Sequence, residues 1–161
     1  MGKDITLPIE NGLVNLRVAA IIMKGGKVLM NKSSKTDYLF TIGGRIQFGE
    51  SSEEAVVREV MEETGVRMEI DHLGFVHENI FIADANTKGV KPVYEIEFYY
   101  FMKTPQDFTP AWEIFDDGGN TDKLVWLDPK AKEKYYPDFF RTELLDVTNR
   151  EVKYIFTDER K

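Results

Sequence analysis

The segment from Ser51 to Gly65 limits the fold most, because it contains a helix start, a helix stop and two chemically different faces. Ser51 and Glu54 have the spacing of a capping box, and Gly65 stands where a helix ends. At about 100° per residue, one arc of this segment is apolar and contains Val56, Val57, Val60, Met61 and Thr64. The sequence therefore predicts a helix over 51–64 that buries one face in a core.

The stretches on either side of this helix have the composition of β-strands. Val14 to Met23 is rich in β-branched and small apolar residues, and after Gly25-Gly26 the pattern resumes from Lys27 to Asn31, which predicts a hairpin. Further strands are predicted at 38–42, 68–82 with a bulge at Gly74, 93–102, 123–127 and 152–156, with a loop at 84–89 and a second helix at 137–145. Because the chain shows no repeat or linker, we predict a single α+β domain over residues 1–161.

Composition and charge exclude several classes of function. The chain has 161 residues, 21 basic and 28 acidic side chains, a net charge of −7, no cysteine and two histidines. A disulfide framework, a thiolate zinc site and a cysteine nucleophile are therefore excluded, and a duplex nucleic acid is not an expected partner. No segment is apolar enough to span a bilayer and the N-terminus has no secretory signal, so we expect a cytoplasmic protein without a membrane partner.

The predicted helix carries an acidic patch. Glu59, Glu62 and Glu63 lie at i, i+3 and i+4, so their carboxylates project from one side, where like charges repel. One interpretation is an ordinary solvated helix face. The other is a set of hard oxygen ligands for Mg²⁺ or Mn²⁺, which would allow an acidic protein to bind a small nucleotide. Gly43-Gly44 favours the second interpretation, because glycine permits close approach and its carbonyls can bind a cation.

These residues form part of a longer pattern that resembles the Nudix box. All nine specified positions are filled within the 23 residues from Gly44 to Val66, namely Gly44, Glu50, Arg58-Glu59-Val60, Glu62-Glu63 and Gly65-Val66. The resemblance implies a Nudix-type fold, a mixed β-sheet sandwiched between α-helices. It also implies metal-dependent hydrolysis of a nucleoside diphosphate linked to another moiety, including a nucleoside triphosphate or a nucleotide sugar. Ile42 stands where many members have proline, which alters loop stiffness and removes no ligand.

The resemblance also implies roles for individual residues. The implied cofactor is Mg²⁺ or Mn²⁺, and its matched ligands are the Gly43 carbonyl and the carboxylates of Glu59, Glu62 and Glu63, with Glu62 binding directly or through water. Arg58 matches the residue that orients the glutamates, and Glu50 matches the partner of that arginine.

The identity of the general base stays open between two glutamates. Glu59 is the candidate inside the box, and Glu95 is the candidate on the predicted strand 93–102. Side chains alternate along a strand, so Glu95 and Glu97 share one face. A strand with two acids on one face is either half-exposed or lines a cleft.

Candidate substrate contacts lie close to the box in sequence. Arg45 is the basic group that we expect to touch phosphate, and Phe48 and Tyr38 offer rings on which a base could stack, although each ring could also serve packing. The run from Asp116 to Asn120 is either a late carboxylate donor or a solvated turn, and the turn is favoured.

The sequence leaves three questions open. It does not identify the nucleotide derivative, which we expect to be a small molecule. A Nudix-fold module that binds a nucleotide without cleaving it is the alternative to the enzyme, and the intact box favours the enzyme. A monomer and a homodimer both remain open.

Overall fold

The computed structural model describes residues 2–83, 91–110, 114–115 and 121–160. The loop predicted at 84–89 and the acidic run at 116–120 lie outside the described residues. Within the described part the elements are β1 (Thr6–Ile9), β2 (Gly12–Ile21), β3 (Met23–Lys24), β4 (Lys27–Ser33), β5 (Leu39–Arg45), α1 (Ser52–Thr64), β6 (Ile70–Ile82), β7 (Pro92–Met102), β8 (Ile114–Phe115), β9 (Thr121–Leu127), β10 (Tyr135–Tyr136), α2 (Phe140–Glu143) and β11 (Lys153–Asp158).

The described strands form one mixed sheet in the order β11-β6-β7-β2-β5-β4-β9-β8, with β1, β3 and β10 paired to β2, β4 and β5. The pairs β2/β7, β6/β11 and β5/β10 are parallel, and the other pairs are antiparallel. The bulge predicted at Gly74 is confirmed, because the register of β6 against β7 shifts between Leu73 and Phe75. The predicted hairpin is confirmed only at its turn. β3 pairs with the start of β4 across Gly25-Gly26, whereas the long strand β2 lies between β5 and β7 in the sheet.

Each face of the sheet packs against one helix. Because side chains alternate along β2, Val18 and Ala20 face one side and Ala19 and Ile21 face the other. The first side is covered by α1 and the second by α2, through the fully buried Phe140. The sheet therefore lies between helices, as predicted.

Some predicted boundaries differ from the structure. The helix predicted at 137–145 is confined to Phe140–Glu143, because the backbone on either side of it makes tighter turns with i→i+3 hydrogen bonds, from Phe140 to Pro137 and from Leu145 to Thr142. β1 was not predicted, since it contains Pro8 and exposes three of its four residues, which removes the apolar periodicity of a strand. Neither described helix has the length and apolar character needed to cross a membrane.

Candidate active site

Both ends of α1 are fixed by the signals that predicted them. The Ser51 hydroxyl accepts a hydrogen bond from the Glu54 amide (3.2 Å), and the Glu54 carboxylate accepts one from the Ser51 amide (2.8 Å). At the other end Gly65 has a left-handed backbone, with φ 72°, and its N–H donates to the Met61 carbonyl (3.0 Å). A helix held at both ends presents its acidic side chains from a defined position.

The buried stripe of α1 differs in two places from the predicted arc. Val56, Val60 and Thr64 are buried as predicted, but Met61 is 48% exposed and Ala55 is fully buried. The reason is that the i, i+4 row of Val56, Val60 and Thr64 faces the sheet, which draws Ala55 into the core and leaves Met61 at the margin.

Two of the three helix glutamates lie against the glycine pair at the end of β5. One Glu63 carboxylate oxygen accepts the Gly43 amide N–H (2.9 Å), and the other accepts the side-chain amide of Asn31. The Glu59 carboxylate lies over Gly44, where an added Cβ would come within 2.4 Å of its Oε1. Burial raises the pKa of the Glu63 carboxyl to about 7, and burial also raises the pKa of Glu59.

Arg58 joins the loop before α1 to the helix glutamates. Its guanidinium donates two hydrogen bonds to Glu50, at 3.0 and 2.6 Å, and a third to Glu59 at 2.7 Å. The hydrogen bonds from Arg58 lower the pKa of Glu50, whose carboxylate also accepts the Gln47 amide (2.8 Å). Glu62 is held more loosely, at 3.5 Å from Arg58, with 55% of its side chain exposed.

A second acidic pair lies on β7, next to an arginine on β2. Glu95 and Glu97 share one face, as the alternation predicted, and both are buried. Arg17 lies 3.4 Å from Glu97 and 3.8 Å from Glu95, and Asn15 donates to Glu95 (3.4 Å). Burial first, and then the charge of Glu97, raises the pKa of Glu95. The positive charge of Arg17 also acts on the α1 glutamates, where it offsets a small part of the rise in pKa that burial causes at Glu59 and Glu63.

Comparison with known proteins shows the family to which a chain with this site belongs. The family model of the NUDIX domain matches residues 14–143. The chain is 34% identical over 135 residues to a MutT-like protein of Streptomyces ambofaciens, covering 83% of this chain and 77% of that protein. The chain belongs to the Nudix family. It is a Nudix hydrolase that acts on pyrophosphate bonds.

Solved structures show the same fold at low sequence identity. The mutator MutT protein of Bacillus halodurans superposes with a TM-score of 0.62 at 18% identity, covering 91% of this chain and 90% of that chain. An ADP-ribose pyrophosphatase of Streptococcus suis superposes with a TM-score of 0.57 at 15% identity, covering 89% and 98%. The predicted Nudix-type fold is thereby confirmed.

The Nudix box residues predicted from the sequence lie together, with additions that the sequence did not reveal. The expected link between Glu50 and Arg58 is present, and Glu59 and Glu63 lie against the Gly43-Gly44 pair. Asn31 was missed as a Glu63 partner, because it lies on β4 and no local pattern connects the two.

The three candidate substrate contacts lie in different parts of the structure. Phe48 is 81% exposed in the loop before α1, so its ring is accessible to a ligand. Arg45 pairs with Arg17 across β2 and β5, and its side chain lies 3.8 Å from Asp4. Tyr38 is not brought to the site. It precedes the opposite end of β5, about 17 Å from Gly43 along the strand, and its ring packs edge-on against Tyr136.

The side chains are not arranged as a closed metal cluster. In the described part of the chain, no three His, Cys, Asp or Glu side chains are grouped so that they could hold a metal ion. The Glu63 carboxylate accepts hydrogen bonds from Asn31 and from the Gly43 amide, and the Glu59 carboxylate accepts one from Arg58. Metal binding by these glutamates would therefore require them to exchange some of these hydrogen bonds for the cation.

Proposed function

We propose that this Nudix hydrolase cleaves the pyrophosphate linkage of a small nucleoside diphosphate derivative, with a divalent cation held by Glu59, Glu62, Glu63 and the Gly43 carbonyl. The observation that carries the proposal is the position of the Glu59 and Glu63 carboxylates on the Gly43-Gly44 backbone. Both carboxyls are partly buried without full charge compensation, and oxygen donors of this kind suit Mg²⁺ or Mn²⁺. The donor set therefore fits the ion that the family uses.

The side chains of this protein position the reacting groups and accept the proton of the attacking water. A bound divalent cation supplies polarisation of the phosphoryl groups and a lowered pKa for water. Arg58 orients Glu59, and Gly44 leaves the space that the Glu59 carboxylate fills. The proton acceptor is Glu59 or Glu95, because burial raises the pKa of both carboxyls toward the range in which a general base works at neutral pH.

Charge and similarity support the substrate class. With a net charge of −7, the protein repels nucleotides at long range, so specificity depends on contacts within the site. A similar fold in a protein described as an ADP-ribose pyrophosphatase supports a nucleoside diphosphate linked to another group. We place Arg45 near the phosphates and Phe48 near the base, as proposals for the same substrate.

A product analysis tests the proposal. A panel of nucleoside diphosphate derivatives and nucleoside triphosphates is incubated with Mg²⁺, and the products are identified by mass spectrometry. We expect a nucleoside monophosphate plus a phosphorylated fragment, or pyrophosphate from a triphosphate, and no turnover with chelator. Turnover in chelator, or release of phosphate from simple monoesters alone, would contradict the proposal. Glu53→Gln is the matched control, since Glu53 is an exposed acid on the first turn of the same helix.

A further inference from the structure

Residues 2–5 run antiparallel to residues 46–50, the loop that joins β5 to α1. We call the first stretch the brace and the second the box loop. The Phe48 N–H donates to the Lys3 carbonyl (2.8 Å). Gly2 lies so close to the same residue that an added Cβ would come within 2.3 Å of the Phe48 carbonyl oxygen. The brace therefore packs against both the N–H and the carbonyl of Phe48.

The brace is itself anchored on β2. The Ile5 N–H donates to the Ile46 carbonyl (2.8 Å), the Ile46 N–H to the Leu16 carbonyl (3.0 Å), and the Leu16 N–H to the Ile5 carbonyl (3.2 Å), which closes a ring of three backbone hydrogen bonds. Ile46 is buried, and Ile5 packs against the core cluster under α1. One end of the brace is therefore fixed to the sheet, while Gly2 and Lys3 at its other end are exposed.

The box loop connects the brace to Glu59 through a series of hydrogen bonds. Between the two loop residues that the brace binds, the Gln47 N–H donates to the Glu50 carboxylate (2.8 Å). Glu50 accepts two hydrogen bonds from Arg58, at 3.0 and 2.6 Å, and Arg58 donates to Glu59 at 2.7 Å. A reacting group keeps its geometry only when the groups that support it are held in place as well. The position of the Gln47 N–H therefore contributes to the position of Glu59.

The brace holds the box loop by its backbone rather than by its side chains. The Phe48 ring is 81% exposed, so it does not anchor the loop in the core. Asp4 of the brace lies 3.8 Å from Arg45, but these side chains are 50% and 43% exposed, and exposed ion pairs contribute little. The exposed part of the box loop is therefore held chiefly by the hydrogen bond to the Lys3 carbonyl, which needs Gly2 beside it.

We propose that the brace is a positioning element for hydrolysis, because it fixes the box loop from which Glu50 and Arg58 orient Glu59. The inference rests on the proposed function, since it assigns the brace a part in that reaction. The brace acts through the box loop and contributes no group that touches the substrate. Loosening the brace should therefore lower kcat by displacing Glu59, while the carboxylates themselves stay in the chain.

Gly2→Val tests the contact between the brace and the box loop. The new side chain would collide with the Phe48 carbonyl, so this end of the brace must move away and release the Phe48 N–H. We expect kcat to fall by about 5- to 10-fold, within the loss expected when Arg58→Lys removes the fork that orients Glu59. Leu7→Val is the matched control, because it places the same residue at a 56% exposed position on β1 and should retain parent kcat. Parent kcat in Gly2→Val would overturn the proposal.

A double-mutant cycle shows whether the brace acts through Arg58. In an Arg58→Lys background the connection to Glu59 is already broken, so adding Gly2→Val should lower kcat by less than about 2-fold. A defect that is merely structural would lower kcat by the same factor in both backgrounds, and that result would overturn the proposal. Melting curves establish that each variant is folded. Gly2→Ala makes the same 2.3 Å contact with less bulk, and it serves in place of Gly2→Val if valine unfolds the chain.

Hydrogen exchange measured by NMR tests the same connection without turnover. The Arg58 Nε–H donates to Glu50 at 3.0 Å, so it should exchange with water about 10-fold faster in Gly2→Val and at the parent rate in Leu7→Val. Unchanged exchange at Arg58 in Gly2→Val would refute the role of the brace. A parent protein that shows the expected exchange but hydrolyses no pyrophosphate substrate would instead refute the proposed function, so the two failures are distinguishable.

Discussion

Replacing Gly44 by alanine tests the position of Glu59 more directly than replacing the glutamate itself. A Cβ at Gly44 would lie 2.4 Å from Oε1, 2.5 Å from Cδ and 2.7 Å from Oε2 of Glu59. Carbon and oxygen atoms in ordinary contact are more than 3 Å apart, so the carboxylate must move by about 1 Å. A displacement of about 1 Å at a reacting group can lower the rate about 100-fold.

The same substitution should leave the fold intact. The atoms that must move are the end of a flexible side chain, and alanine in place of glycine restricts the unfolded chain, which offsets part of any cost. Gly43→Ala is the contrasting variant. Its Cβ would lie 2.1 Å from the Val18 carbonyl oxygen and 2.8 Å from the Ala19 Cα, where only backbone can give way, at a φ of 154°.

Steady-state kinetics and thermal melting separate the two effects. We expect Gly44→Ala to lose about 100-fold in kcat/KM with a melting temperature close to that of the parent, and Gly43→Ala to lose stability outright. If Gly44→Ala retains activity within about 3-fold, Glu59 does not act from the position described here. If it unfolds instead, the steric reasoning is wrong.

Three further predictions follow from the same contacts and charges. Because burial raises the pKa of Glu63 to about 7, the folded metal-free protein favours the protonated carboxyl, and this group makes the protein more stable as pH falls from about 7 toward the pKa of the unfolded chain. The melting temperature of Glu63→Gln minus that of the parent should therefore be more positive at pH 8 than at pH 5. A difference that does not change with pH would refute this. Arg58→Lys keeps the charge but loses the fork that binds Glu50 and Glu59, so activity should fall about 10-fold or more, measured by kcat, whereas parent-like kcat would count against a positioning role. Random duplex DNA should bind only weakly at physiological salt, measured by fluorescence anisotropy, because the chain has a net charge of −7, and submicromolar affinity would contradict the charge reasoning.

The parts of this structure that follow local rules could be predicted from the sequence. Helix α1 begins at the Ser51 cap and ends at Gly65, and both signals lie within a few residues of the turn that they specify. The bulge at Gly74 and the shared face of Glu95 and Glu97 also depend only on local geometry. These predictions succeeded because the interactions that decide them are close in sequence.

The missed parts depend on pairings between distant segments. Asn31 reaches Glu63 only because β4 lies beside β5 in the sheet, and Arg17 reaches Glu95 and Glu97 only because β2 pairs with β7. Tyr38 is near the box in sequence but at the far end of β5, since an extended strand separates its ends by about 3.3 Å per residue. One sequence gives no register between strands, so such contacts could not be deduced.

The role of the α1 glutamates is tested most directly by comparing turnover of one pyrophosphate substrate by the parent, Glu59→Gln, Glu63→Gln and Glu53→Gln at saturating Mg²⁺. We expect Glu59→Gln and Glu63→Gln each to lose about 100-fold or more in kcat while staying folded, Glu53→Gln to retain parent activity, and chelator to abolish all turnover. Near-normal turnover by both Glu59→Gln and Glu63→Gln, or by the parent in chelator, would contradict it.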